Sequence, residues 1–265
     1  MKLGIEGKTA YVTGAATGIG REVVRLLAAE GASVFAVDIA GDALNEYVLG
    51  DALDTVTTHV ADLSTGDGCR GAAATFLAQA GRGPDILVNN VGIGRMRLFE
   101  ELEDADWDRT FQLNFFAMQR TSRALIPEMA KLGEAAVVNV ASDLAFQPEP
   151  VFVDYAAAKA AMVNTSRTLA QTYAPAVRVN AVCPGPIWTP LWSRPGGFLE
   201  TIEKAYDRKG DDAVQALIDD RGIPMGRMGT PEEVARAVVF LASPAASFIT
   251  GSTLGVNGGT VRGAF

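Results

Sequence analysis

The sequence predicts an α/β fold: a doubly wound, mostly seven-stranded parallel sheet with helices on both faces. Three observations lead there. Apolar, strand-like runs alternate with amphipathic helical segments along the whole 265-residue chain, the order that builds βαβ units. The runs themselves, such as SVFAVD, DILVNN and AAVVNVAS, are almost continuously apolar. Strands of that kind are buried on both faces, under helices packed above and below a parallel sheet. No internal repeat divides the chain, and 48% apolar residues suffice for one large core. A single domain over 1–265 is expected.

Taken in order, TAYVTG (9–14) is a strand, and IGREVVRLLAAEGA (19–32) is a helix stopped by Gly31. SVFAVD (33–38) returns to a strand, followed by a helix near 41–49, a strand near 54–60 and a helix near 65–80. DILVNN (85–90) and AAVVNVAS (135–142) are further strands, with a long helix near 105–132 between them. A second long helix near 153–173 precedes VRVNAVC (177–183), and a helix near 231–242 leads into a last strand within STLGVNGG (252–259). The stretch from about 186 to 228 breaks this rhythm. It is long, rich in Gly and Pro, and includes helical pieces such as FLETIEKAYDRK. An insertion of this length in a compact α/β domain is expected to be a functional lid.

Charge and cysteine usage remove several function classes. Acidic residues outnumber basic ones 31 to 23, for a net charge of −8, and the charges are scattered. A surface for nucleic acid or anionic membrane is therefore not expected. No run of 18 apolar residues occurs, so no membrane span is expected. MKLGIEGKTAYVTG lacks the apolar core of a secretory leader. Cys69 and Cys183 are the only cysteines, which suits a reducing, cytoplasmic setting. No Cys/His spacing suits a metal. His59 is the only histidine, so a Ser-His-Asp hydrolase would depend on it alone; it reads as structural, and Cys183 as a small core residue.

The first strand runs into TGAATGIG (13–20). Gly14, Gly18 and Gly20 fall where strand turns to helix. There glycine permits a tight turn and lets backbone N–H groups approach a pyrophosphate. The spacing G-x-x-x-G-x-G differs from the commonest dinucleotide fingerprint, and a purely structural turn is the alternative. Asp38 ends the second strand, 18 residues after Gly20. A carboxylate at that place accepts hydrogen bonds from both adenosine ribose hydroxyls and repels a 2′-phosphate. Its neutral neighbours Thr17 and Ile39 offer no phosphate-binding cation, so NAD is expected over NADP. The plainer alternative for Asp38 is a turn or helix cap.

DYAAAKAA (154–161) sets Tyr155 and Lys159 at i and i+4, on one face of a helix. Such a pair is ordinarily a surface pair. It gains chemical meaning from Ser142, 13 residues before Tyr155, and from the glycine turn upstream. A free tyrosine titrates near pH ~10, and a nearby ammonium favours its phenolate. Tyr155 can then act as general base on an alcohol or general acid on a ketone, while Ser142 stabilises charge on the substrate oxygen.

TGAATGIG, ADL (61–63), NNVG (89–92), Asn114, Ser142, YAAAK (155–159) and PGPIWT (184–189) occur in the order and spacing of one family. The chain resembles the short-chain dehydrogenase/reductase family over nearly its whole length. The resemblance implies a Rossmann-type fold and a cofactor held by Gly14, Thr17, Gly18, Ile19, Gly20, Asp38 and Ile39. Asp62 and Leu63 would hold adenine. Asn89 would support the sheet and the adenosine ribose, and Asn90, Val91 and Gly92 would lie along the cofactor. Pro184, Gly185, Ile187 and Thr189 would hold the nicotinamide end, and Lys159 would reach its ribose. Asn114 would bend its helix and hold a water near Lys159. In related proteins the helix that carries the small alanines of 156–161 lies at a subunit contact, so the resemblance implies a homotetramer. Val91 and Ala145 depart from the family's usual Ala and Gly, which alters the shape of the pocket and removes no reacting group.

An NAD(H)-dependent oxidoreductase of secondary alcohols and ketones is therefore expected. The alternatives are a 3-oxoacyl-thioester reductase and a non-catalytic dinucleotide-binding regulator. Ile93, Gly94, Leu144, Phe146, Gln147, Trp188, Leu191, Trp192 and Phe198 are the candidate pocket wall. Three aromatic residues in one lid point to an apolar or cyclic substrate, or else to the lid's own core. Asp143 either orients a polar substrate group or faces solvent.

Overall fold

The computed structural model describes residues 2–263; residues 1, 264 and 265 of the expected domain lie outside the described residues. Its strands are β1 (Thr9–Thr13), β2 (Ser33–Asp38), β3 (Val56–Val60), β4 (Ile86–Asn89), β5 (Ala135–Val140), β6 (Val177–Pro184) and β7 (Thr253–Val256). They form one sheet in the order β3-β2-β1-β4-β5-β6-β7, with every pairing parallel. This is the Rossmann-type, doubly wound sheet expected from the run of apolar strands.

The helices are α1 (Gly18–Ala29), α2 (Gly41–Gly50), α3 (Gly66–Ala80), α4 (Asp104–Phe111), α5 (Ala117–Ala130), α6 (Val153–Tyr173), α7 (Pro190–Ser193), α8 (Phe198–Tyr206), α9 (Gly210–Arg221) and α10 (Pro231–Ala242). Successive strand residues face opposite sides of the sheet. In β1, Ala10 and Val12 enter a core with Val23 and Leu27 of α1, Leu44 of α2 and Val238 of α10. Tyr11, between them, enters the opposite core with Ala72 of α3, Leu125 of α5 and Ala170 of α6. Both faces are covered, as the uniform apolarity of the strands requires.

Two expected elements differ. The first helix ends at Ala29, because Gly31 turns the chain with φ +83°. The long helix expected over 105–132 is broken into α4 and α5 by a π-helical turn, Gln112–Phe116. Asn114 sits in that turn, buried, and its amide is the reason for the break. Nδ2 donates to the Ile93 carbonyl at 2.9 Å and the Thr110 carbonyl at 3.0 Å. Oδ1 accepts from the Ile93 N–H at 3.1 Å. One side chain thus clamps the loop after β4 and replaces regular helical pairing.

The irregular stretch leaves β6 and carries α7, α8 and α9. A bridge between Ile187 and Gly229 closes its base. Its own apolar residues, including Trp192, Phe198, Ile202, Leu217 and Met228, pack together and onto Leu144 and Phe152. Between β1 and β4 the strand order reverses direction. In open α/β sheets the crevice beyond the strand ends at such a point is where ligands bind.

Candidate active site

A cleft of about 420 Å³ opens at that reversal. One end is lined by Gly14, Thr17, Gly18, Ile19, Asp38 and Ile39, the other by Ser142, Tyr155, Trp192 and Phe198. Asn90, Val91, Gly92, Lys159, Pro184, Gly185, Ile187 and Thr189 line it between. Most sequence-predicted positions, scattered over 176 residues from Gly14 to Thr189, are brought to one place.

The glycine turn owes its shape to two close approaches. Gly14 has φ +64°, and a Cβ there would lie 2.8 Å from the Val91 Cα. A Cβ on Gly20 would lie 2.0 Å from the Gly14 carbonyl oxygen. Thr13 and Asn90 tie the turn to β4. The Thr13 hydroxyl accepts from the Asn90 and Val91 N–H groups, and Asn90 Nδ2 donates to the Gly14 carbonyl at 2.9 Å. Thr17 occupies the N-cap of α1 without a side-chain cap bond, which leaves first-turn N–H groups to face the cleft. Such an end suits a pyrophosphate. Asp38 braces the turn as well as lining the cleft: Oδ2 accepts from Ala16 N–H and Oδ1 from Ala40 N–H, each at 2.9 Å. The residues present therefore fit a dinucleotide.

At the other end, Ser142 follows β5 and caps a short 3-10 turn, its Oγ accepting from Leu144 N–H at 3.2 Å. Tyr155 and Lys159 project from α6. Lys159 is 3% exposed, donates Nζ to the Val140 carbonyl at 2.9 Å, and lies 5.6 Å from the centre of the Tyr155 ring. Burial dominates both groups. It pushes the Tyr155 phenol well above its ordinary value, against a smaller opposing effect of the Ser142 hydroxyl. It pulls the Lys159 ammonium down from 10.5 to about 8. The expectation that Lys159 favours a Tyr155 phenolate is thus outweighed, within the chain alone, by loss of water around the phenol.

Other expected residues lie elsewhere. Asn114 is buried behind the cleft wall, at the π turn. Asp62 turns its carboxylate to the Ser64 N–H, 2.9 Å away, and Leu63 is 3% exposed in the core; neither lines the cleft. Asn89 is buried between strands and helices, donating to Ser122 Oγ and Asn139 Oδ1 at 3.1 and 2.8 Å. Gly94, Phe146, Gln147 and Trp188 also fall outside the lining. Trp188 stacks on the outside of Trp192 and is 41% exposed. His59 stacks on Phe35 at the edge strand β3, with three strands between it and β5. Cys183 is buried among Met118, Met162 and Ala181.

The largest correction concerns Asp143. It does not face solvent: it is 4% exposed, lines the cleft, and accepts from Ser142 Oγ at 3.1 Å and Thr260 Oγ1 at 2.8 Å. Arg221, at the end of α9, lines the cleft beside it and forms an ion pair with Glu149. The wall is therefore not uniformly apolar. Nothing in the sequence marked Arg221 or Phe152 as cleft residues: Phe152 comes from the turn before α6, and Arg221 from the end of α9, which the fold returns to the cleft.

A turn shaped for a dinucleotide, sharing its cleft with a serine, a tyrosine and a buried lysine, defines the class: a Rossmann-type oxidoreductase. A family model described as "Enoyl-(Acyl carrier protein) reductase" matches residues 14–261. The 3-oxoacyl-(acyl-carrier-protein) reductase of Thermotoga maritima is 35% identical, over 97% of this chain and 99% of its own. A 2-keto-3-deoxy-L-fuconate dehydrogenase of Xanthomonas campestris is 36% identical, over 96% of this chain and 80% of its own. The crystal structure of L-sorbose reductase from Gluconobacter frateurii, complexed with NADPH and L-sorbose, superposes with TM-score 0.90 at 33% identity over the whole of both chains. The chain belongs to the short-chain dehydrogenase/reductase family. No helix among the described residues is long and apolar enough to cross a membrane.

Proposed function

We propose that the protein is an NAD(H)-dependent oxidoreductase interconverting a secondary alcohol and its ketone, with Tyr155 as the proton carrier. The observation that carries this is the single cleft holding the glycine turn and Asp38 at one end and Ser142, Tyr155 and Lys159 at the other. The dinucleotide, when bound, supplies hydride exchange; the chain supplies position and the proton. Gly14, Thr17, Gly18, Ile19 and Gly20 form the pyrophosphate end. Asn90, Val91 and Gly92 line the middle, and Pro184, Gly185, Ile187 and Thr189 the nicotinamide end.

Ser142 holds the substrate oxygen and Tyr155 Oη gives or takes its proton. A phenol pushed upward by burial keeps its proton but gives it up less readily; both as acid and as base Tyr155 needs positive charge nearby, from Lys159 and, for the base, an oxidised nicotinamide. Asn114 fixes the π turn behind them. Asp38 supports NAD, since its carboxylate lines the cleft with the neutral Thr17 and Ile39 beside it, and would repel a 2′-phosphate. The segment 186–228 acts as the lid, and a homotetrameric, cytoplasmic enzyme accords with the family.

A second reading, reduction of a 3-oxoacyl thioester, is supported by the Thermotoga maritima relative. One experiment separates the two: the protein is mixed with NAD or NADP and a panel of secondary alcohols, and with NADH or NADPH and a 3-oxoacyl thioester, following the reduced nicotinamide by absorbance. Turnover of alcohols with NAD is expected. Preferential use of NADPH with the thioester would overturn the first reading, and tight dinucleotide binding without any turnover would point to the regulator.

A further inference from the structure

The proton chemistry above makes no use of Asp143 and Arg221, yet both line the substrate end of the cleft. Their places come from distant parts of the chain. Asp143 directly follows Ser142, in the turn after β5. Arg221 ends α9, on the lid. Thr260, 2% exposed, donates to Asp143 Oδ2 at 2.8 Å, and Ser142 Oγ lies 3.1 Å from Asp143 Oδ1. Glu149 takes the Nε edge of the Arg221 guanidinium. Both side chains are thereby held in one orientation.

Between Arg221 and Asp143 the nearest approach is 3.9 Å, from a guanidinium nitrogen to Oδ2. That is too long for a direct hydrogen bond. It is also a separation at which a single oxygen can lie within hydrogen-bond range of both atoms. The two groups have opposite needs: the carboxylate only accepts and the guanidinium only donates. A hydroxyl does both at once. A substrate carboxylate would meet two acidic groups, Asp143 and Glu149, around a guanidinium already paired with Glu149. A substrate ammonium would meet the guanidinium. A neutral hydroxyl suits the pair best.

We propose that Asp143 and Arg221 bind a second hydroxyl of the substrate, one or two carbons from the reacting carbon, so that the substrates are polyols and their hydroxy ketones. The distance limit follows from Ser142, which would hold the reacting oxygen and touches Asp143 directly. The inference rests on the alcohol–ketone reading above. It replaces the apolar substrate expected from the lid aromatics, because Trp192 and Phe198 belong to the lid's own packing core as well as lining the cleft, while the polar contacts sit beside Ser142. Sugar-like molecules offer both features, an apolar C–H face and a row of hydroxyls.

The test uses the unaltered protein and matched ketones of equal chain length: butanone, 3-hydroxybutanone and 4-hydroxybutan-2-one, with acetoacetate and aminoacetone as charged comparisons. At least one hydroxylated ketone is expected to exceed butanone in kcat/KM by about tenfold or more, since a site built to bond a hydroxyl rejects an analogue lacking it. Arg221→Met and Asp143→Asn are then expected to collapse that ratio toward one, mainly through KM of the hydroxylated substrate. NADH binding, read by fluorescence, reports that each variant is folded. Equal use of butanone, or preference for either charged ketone, by the unaltered protein would overturn the inference while leaving the oxidoreductase reading intact. Absence of turnover with every ketone and either reduced nicotinamide would overturn both.

Discussion

Lys159 is positioned at a cost to the fold, and replacing it by methionine should make the protein more stable and far less active. The ammonium is 3% exposed, and its burial lowers the pKa from 10.5 to about 8. At about 1.4 kcal/mol per pH unit, keeping it charged near neutrality costs the folded state about 3 kcal/mol. Its hydrogen bond to the Val140 carbonyl returns about 1 kcal/mol. Methionine, similar in length and apolar, removes both, for a net gain of about 2 kcal/mol. The sign with pH follows from proton counts. Between about 8 and 10.5 the unfolded chain still holds the lysine proton and the folded chain has released it. The stability of the parent therefore rises with pH across that window. Below the window both states are protonated and the full cost remains. Urea unfolding near pH ~7 should show Lys159→Met ahead by about 2 kcal/mol, and the lead should vanish within the window and reverse by about 1 kcal/mol at its top, where only the Val140 hydrogen bond still separates the two. The same variant should lose roughly 100-fold or more in kcat, since the positive charge beside Tyr155 is then gone. A variant less stable than its parent at neutral pH, or a difference that does not change with pH, would refute the reasoning.

Three further changes probe the site. Tyr155→Phe should lower kcat by roughly 1,000-fold with little change in dinucleotide affinity; retained turnover would remove Tyr155 as the proton carrier. Asp38→Ala should shift the NAD-to-NADP ratio of kcat/KM toward NADP by about tenfold or more, because a like-charge contact is removed. An unaltered protein that already prefers NADP would contradict the proposed part of Asp38. Gly20→Ala places a Cβ 2.0 Å from the Gly14 carbonyl oxygen, so the turn must open. Dinucleotide binding should weaken by about tenfold or more, measured by fluorescence titration; unchanged affinity would show that the turn does not hold the pyrophosphate.

Sequence alone determined the sheet, the order of its elements, the glycine turn with Asp38 and the Ser142, Tyr155 and Lys159 group, while the family resemblance supplied the middle and nicotinamide end of the cleft. The reason is that these signals are local. Uniform apolarity in β2, β4 and β5 reports burial on both faces, and a strand-turn-helix with glycines at fixed offsets reports a tight backbone turn. The i, i+4 spacing of Tyr155 and Lys159 reports one helix face. The break at Asn114 came only from the family resemblance, since a π turn leaves the helical periodicity of 105–132 nearly intact.

The electrostatics of the cleft was decided by tertiary structure. Whether Lys159 tunes Tyr155 depends on how much water each retains, which is a property of the packed cleft and not of their spacing. Asp143 looks like a surface residue in DLAFQ, yet Thr260, 117 residues away, and Arg221, at the end of α9, draw it into the wall. Trp188 and Trp192, four residues apart, were indistinguishable as pocket candidates until the segment after β6 packed one inward and left the other stacked outside it. Spacing along a chain specifies which side chains share an element; only packing between elements specifies which of them lose their water and meet.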